Sequence, residues 1–409
     1  MVRELERERQ ANQVPETAPA ANPVFFRTYS RRTAAGRETW EQVCDRTLQG
    51  LIKLGKLNTQ EAALLNRMQR QMKSLPSGRW LWVGGTEWLE KPENFSGAYN
   101  CTSTNLVDWG AFGLMMDLAM MGCGTGAVIE PEYINQLPII RNRLHIAMQG
   151  EVGSTPAGER REQTEVNVTS DRVTIHVGDS RQGWVKSYQT LLELSSDQRF
   201  TGEIAVFVDI SDVRASGETL KGFGGVANPV KLPELYQRCG AILNKAVGRQ
   251  LNSVECCLLI DEAAVTIVAG NIRRSAGMRQ FYGDDELGAN AKNNLWQQDE
   301  NGSWRIDPER DSLRMANHTR VFHRKPTLED CVEAVRKQYY SGEGAIQWSG
   351  EAIARSNSDL LPTQTLKTEF LQAYEQGTAK HWLQERYPEM AINELEHRLA
   401  RYGLNPCGE

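Results

Sequence analysis

Arg172-Val173-Thr174-Ile175-His176-Val177 runs into Gly178-Asp179-Ser180, then into Arg181–Leu194, and further on into Ile204-Ala205-Val206-Phe207-Val208-Asp209-Ile210. The first run alternates as a strand does, and the Gly-Asp-Ser triplet supplies a turn and a helix cap. Arg181–Leu194 carries apolar residues at helical spacing, and Ile204–Ile210 is a β-rich run that fits a strand buried on both faces. Strand, helix, strand in that order predicts an α/β protein with parallel strands. Asp209, Asp212 and Arg214 follow, then the loop Gly222-Phe223-Gly224-Gly225. That is where α/β sheets collect ligands, beyond the ends of their strands.

On the N-terminal side, Gly150–Thr169 is polar and rich in Gly, Glu and Arg, and reads as a surface loop or mobile insert. Before it, the apolar helix-forming run Phe112–Met121 leads straight into Gly122-Cys123-Gly124-Thr125-Gly126. A dinucleotide fingerprint needs a strand before its glycines and a helix after them, so this order argues against a Rossmann unit. The glycines read instead as a turn whose bare backbone either packs tightly or lets a ligand approach. Cys101, in Asn100-Cys101-Thr102-Ser103, is a thiol at a strand start. Trp40–Ser74 has helical spacing, and Asn58 with Glu61 makes a capping-box start for a helix to about Lys73. Met1–Asn22 has no apolar period and reads as a mobile tail.

On the C-terminal side, Val254–Ala269 is a long apolar helix, or a helix plus strand, broken at Gly270-Asn271 and followed by Ile272-Arg273-Arg274-Ser275-Ala276. Arg273 and Arg274 suit either a phosphate contact or a solvated face. Thr327–Tyr340 is a capped helix ending near Gly342. Asp359–Gly403 is a charged, helix-rich insertion that delivers the chain to Asn405-Pro406-Cys407-Gly408-Glu409. There the Pro-Gly pair forces a turn that can present Cys407 and Glu409 on one side. A carboxylate raises a neighbouring thiol's pKa, so the pair is poor for ionic attack and suits one-electron chemistry with a neutral S–H. The plain alternative is a turn carrying a buried cysteine.

The chain of 409 residues, 40% hydrophobic and 24% charged, is long enough for two or three structural units. No run approaches the roughly 18 apolar residues of a membrane span, and the charged start has no signal segment behind it, so no membrane association and a cytoplasmic location are expected. A net charge of -5 offers no basic field for nucleic acid. The eight cysteines show no CxxC spacing, so no structural metal is expected, and Cys256 and Cys257 read as core packing.

Taken together, ten ordered blocks resemble the adenosylcobalamin-dependent ribonucleoside-triphosphate reductases, the class II ribonucleotide reductases of monomeric type. They are Arg27–Tyr29, Pro76–Arg79, Asn100-Cys101, Gly122–Gly126, Asp179–Trp184, Asp209–Arg214, Gly222–Gly225, Gly270–Ala276, Gly342–Ile346 and Asn405–Glu409. The resemblance implies an N-terminal helical region and the first half of a ten-stranded α/β barrel, ending at its finger loop. On this reading 1–22 is the tail, 23–92 the helical region, 93–358 the half barrel with effector-site elements, 359–402 the helical insertion and 403–409 the start of the finger loop.

The resemblance further implies that Cys407 is the thiyl-radical cysteine, Glu409 the base for the ribose 3'-hydroxyl, Asn405 a residue that orients the ribose, and Cys101 one half of the redox pair. Gly122, Gly124, Gly126 and Asn100 would lie near the substrate, and Asn271, Arg273, Arg274 and Ser275 on the loop that couples a specificity effector to the active site. Adenosylcobalamin would be the cofactor, and no metal site is implied. Ribonucleoside triphosphates, deoxynucleotide effectors and thioredoxin would be the partners. A second barrel half would hold the partner of Cys101 and most cobalamin contacts. The expectation is therefore an N-terminal part, split or interrupted at the active-site loop and inactive alone. Two readings compete: the same chemistry with a non-cobalamin radical source, and a non-catalytic nucleotide-binding fragment, favoured if Cys101 and Cys407 lie far apart.

Overall fold

The computed structural model describes residues 21–34, 36–55, 57–220, 227–269 and 276–407. It divides into two compact units, Met1–Asn100 and Cys101–Glu409. The first is helical: α1 Ala21–Thr28, α2 Trp40–Gly55, α3 Thr59–Arg70 and α4 Gly78–Val83. The capping box at Asn58 and Glu61 is formed, with Asn58 accepting from the Gln60 and Glu61 amides and Glu61 bonding back to the Asn58 amide. Phe25, Trp40, Val43, Cys44 and Leu81 form this unit's core.

In the second unit the chain builds β1 Cys101–Asn105, α5 Trp109–Met120, β2 Gly124–Val128, β3 Arg143–Gln149, β4 Glu165–Thr169, β5 Arg172–His176, α6 Arg181–Leu194 and β6 Glu203–Asp209. It continues through α7 Leu232–Lys245, α8 Ser253–Ala269, β7 Gly277–Tyr282, β8 Ala316–Phe322, α9 Leu328–Ser341, β9 Ala345–Trp348 and four helices, α10 Ser349–Ser356, α11 Gln364–Glu375, α12 Ala379–Arg386 and α13 Ile392–Leu399. Five strands form one wholly parallel sheet in the order β9-β8-β7-β2-β1. Four others form a second sheet, β3-β6-β5-β4, in which only β4 is antiparallel to its neighbour. The fold is α/β, and α5 and α8, apolar almost all round, belong to its large buried core. No helix among the described residues is long and apolar enough to cross a membrane.

One sequence reading is borne out here and three change. The strand-helix-strand stretch does form β5-α6-β6 with parallel strands, but it lies in the four-stranded sheet and not in the sheet that begins at Cys101. β6 buries only alternate residues, Ile204, Val206 and Val208, because one face of this sheet stays partly open. The polar segment before β5 closes as β4, paired antiparallel with β5; its mostly exposed residues conceal it from a hydrophobicity reading. The run Gly122–Gly126 is only partly a turn. Gly122, at φ 75°, ends α5 in a Schellman arrangement: its N–H bonds Ala119 O at 2.8 Å, and the Cys123 N–H bonds Leu118 O at 3.0 Å. Gly124–Val128 is a fully buried strand.

Candidate active site

The segment that follows α13 runs back across one face of the parallel sheet, over β1 and β2. Cys101 is paired with Gly124, and Ser103 with Gly126, in the β1-β2 register, so these four share a face with Val128. A Cβ on Gly126 would stand 2.1 Å from the Leu404 carbonyl oxygen. One on Gly124 would stand 2.7 Å from Cys101 Sγ and 3.3 Å from Pro406 Cγ, and one on Gly403 2.2 Å from Ser103 Oγ. Glycine at these positions is what lets the 403–407 backbone lie directly on the strands.

The result is contact between two cysteines that are 306 positions apart: Cys101 Sγ and Cys407 Sγ are 2.9 Å from each other. Cys101 is half-buried and Cys407 exposed, so a reactant can reach the pair from the open side. Asn405 is buried, and its Oδ1 accepts from the Cys407 N–H at 3.1 Å, which fixes the turn at Pro406. Two thiols in contact can exchange a hydrogen atom or be oxidised together.

Two glutamines hold this segment from below. The Leu404 N–H donates to Gln280 Oε1 at 2.7 Å, Gln280 Nε2 donates to Gln347 Oε1 at 2.6 Å, and Gln347 Nε2 donates to the Tyr402 carbonyl. Both side chains are buried, on β7 and β9, so one amide chain tethers a donor and an acceptor of the loop backbone. Sequence reasoning missed this pair. The available signal was an amide inside an apolar run, Ala345-Ile346-Gln347-Trp348, since a buried amide must find partners.

Of the sequence-derived residues, Cys101, Gly124, Gly126, Asn405 and Cys407 come together. Gly122 sits at the α5 terminus. Asn100 closes the first unit, where its side-chain oxygen accepts from Arg79 Nε at 3.2 Å. Glu409 and the effector-loop residues Asn271, Arg273, Arg274 and Ser275 lie outside the described residues, as does the Gly222–Gly225 loop.

On the opposite face of the sheet, Cys257, Asp261 and His318 form a buried group with metal-ligand atoms within 4.8 Å of one another. Asp261 already accepts from Arg279 at 2.7 Å and from the Cys257 thiol at 3.2 Å. Burial pushes the Cys257 thiol up and His318 down, which keeps both neutral. Asp261 is thus paired with the Arg279 guanidinium, and Cys257 and Cys256 are the core cysteines their apolar setting predicts.

Comparison with known proteins fits this geometry. The fold is that of a crystal structure of a B12-dependent, class II ribonucleotide reductase, with a TM-score of 0.60 at 17% identity over 83% of this chain and 50% of that one. The family model for the insertion domain of B12-dependent ribonucleotide reductases matches residues 148–243, the span that holds most of the four-stranded sheet. The adenosylcobalamin-dependent ribonucleoside-triphosphate reductase of Levilactobacillus brevis is 28% identical over 306 residues, covering 64% of this chain and 41% of that protein. A Dictyostelium discoideum protein named "Probable adenosylcobalamin-dependent ribonucleoside-triphosphate reductase" is 26% identical over 363 residues, covering 83% of this chain and 44% of its own length. The chain is thus similar to part of these reductases, and it spans less than half the length of the two relatives named.

Proposed function

We propose that the protein containing this segment reduces ribonucleotides, as the triphosphates, to 2'-deoxyribonucleotides by thiyl-radical chemistry. The observation that carries the reading is the contact between Cys101 and Cys407 on a glycine-lined strand face. An exposed thiol at a loop tip fits a one-electron oxidant, and adenosylcobalamin, when bound, supplies that oxidising equivalent. In this chain Cys407 then takes the substrate's 3'-hydrogen and later returns it. Glu409 accepts the 3'-hydroxyl proton, and Asn405 orients the ribose. Cys101 gives its proton toward the departing 2'-hydroxyl, which leaves as water, while Cys101 and a second thiol supply two electrons and become a disulfide. Thioredoxin restores the pair.

Gly124, Gly126 and Asn100 border the ribose on this reading, Gly122 anchors the turn before β2, and the 271–275 loop relays deoxynucleotide effectors. The reaction needs the remainder of the family's fold, with its cobalamin and phosphate contacts, and takes place in the cytoplasm. A purely nucleotide-binding role is disfavoured, because it gives no reason for two thiols so distant in sequence to meet.

The test is adenosylcobalamin-dependent turnover of 3'-tritiated ribonucleoside triphosphate by the whole native protein with a dithiol. Cys407→Ser is expected to abolish both tritium release and deoxynucleotide formation, and Cys101→Ser to block product while leaving the first hydrogen transfer. Full turnover by Cys407→Ser would refute the assignment.

A further inference from the structure

A cavity of about 230 Å³ opens on the side of the parallel sheet that faces away from the cysteine pair. The register sets the side: Phe281 is paired with Arg320, and both line the cavity, whereas Gln280, the next residue on β7, points to the opposite face and holds Leu404. Four cationic side chains line it, Lys292, Arg314, Arg320 and Lys337, against one acid, Glu343. With His318 neutral, the lining carries three net positive charges in a chain whose net charge is -5.

Three of these cations are held in place by backbone carbonyls, and Lys292 is also ion-paired with Glu343. Lys292 donates to the Ala316 carbonyl as well as to Glu343, Lys337 to the Ala289 carbonyl, and Arg320 to the Gly283 carbonyl. A carbonyl orients a cation but leaves its charge in the cavity. Arg314 has no hydrogen bond or ion pair among the described residues, so its guanidinium fork is available to an anion. At the rim stands Trp296, 54% exposed, on a short hairpin strand. A preformed concentration of positive charge beside an open indole face suits a ligand with phosphate at one end and a planar ring at the other.

We propose that this outer pocket binds a nucleoside polyphosphate, its phosphates among Lys292, Arg314, Arg320 and Lys337 and its base against Trp296. The site is separate from the cysteine pair, so its occupancy does not depend on the reductase reading.

The experiment is calorimetric titration of the full chain with ATP and with sodium tripolyphosphate at matched ionic strength, with hydrogen-deuterium exchange to locate protection. Both probes are expected to bind and to protect peptides spanning 286–296 and 314–320. Arg314→Gln, at an exposed side chain without partners, should weaken both about threefold or more, and Arg314→Glu with Lys337→Glu at least tenfold. Trp296→Ala should weaken ATP and leave tripolyphosphate unchanged. Protection confined to other peptides, or unchanged binding in both charge variants, overturns the site. Tripolyphosphate binding with ATP no tighter, and no effect of Trp296→Ala, overturns the nucleotide assignment in favour of a phosphate-only ligand.

Discussion

Replacing Gly126 by alanine tests whether the cysteine loop depends on bare backbone in β2. The new Cβ would stand 2.1 Å from the Leu404 carbonyl oxygen, where real Cβ contacts essentially never fall below 3.0 Å, so one partner must retreat by about 0.9 Å. Neither partner yields easily, because Gly126 is in a buried parallel strand and Leu404 is tied through its N–H to Gln280. Overpacking of this kind costs about 1–3 kcal/mol. A shift of about 1 Å at a reacting group costs roughly a hundredfold in rate, so the thiol geometry should suffer more than the fold. The assay is twofold: urea unfolding of the 409-residue chain, and the rate of Cys101–Cys407 disulfide formation under a mild oxidant, followed by peptide mass spectrometry. Gly126→Ala should lower the unfolding midpoint and slow cross-linking at least tenfold. Gly158→Ala, where a Cβ meets nothing within 4 Å, is the control and should change neither. If Gly126→Ala unfolds within about 0.5 kcal/mol of the parent and cross-links at the same rate, the packing argument is wrong.

Gln280→Leu should destabilise by about 1–3 kcal/mol, since it strands the Leu404 N–H. Adding Gln347→Leu should cost less than the sum of the singles, and strict additivity in a double-mutant cycle would mean that the two amides do not act as one chain. Asp261→Asn leaves the fully buried Arg279 without its counter-charge and should cost about 3–5 kcal/mol, read from the denaturation midpoint. The Glu130 carboxylate at 2.6 Å holds the His323 imidazole above its usual range. A raised folded-state pKa stabilises below the ordinary histidine value, and that contribution disappears as pH rises through the folded one. Stability should therefore fall as pH rises above the ordinary histidine value and do so less steeply in Glu130→Gln; parallel profiles would dismiss the pair as a contributor.

The elements whose signal is local were readable in the sequence. The capping boxes at Asn58 and Thr327, the Gly342 terminus in the left-handed region and the apolar helix Ser253–Ala269 all declare themselves within a few residues. What was hidden depends on distant partners. Gly124-Thr125-Gly126 looks like a turn because glycine has poor strand propensity, and only the Leu404–Pro406 backbone lying on it explains why strand and glycine coincide. β4 was hidden because its pairing with β5 needs no apolar face. The thiol pair was legible as two separate cysteines; that they touch follows from the sheet register and the glutamine tether, which no spacing in the sequence encodes.

The middle of the parallel sheet joins β2 to β7, with the Thr125 N–H bonding Ala276 O and the Ile129 N–H bonding Gln280 O across a chain gap that holds the whole four-stranded sheet. Closing so long a loop is entropically slow, whereas β5, α6 and β6 meet over a short separation. Such an architecture should assemble from its inset outward, with the cysteine platform among the last parts to become protected during refolding. Pulse-labelled amide exchange would see protection in 172–209 before 124–129, and the reverse order would rule this assembly sequence out. A nascent chain would on this account remain without its paired thiols until nearly everything else is in place, which keeps that pair from forming on a half-folded scaffold.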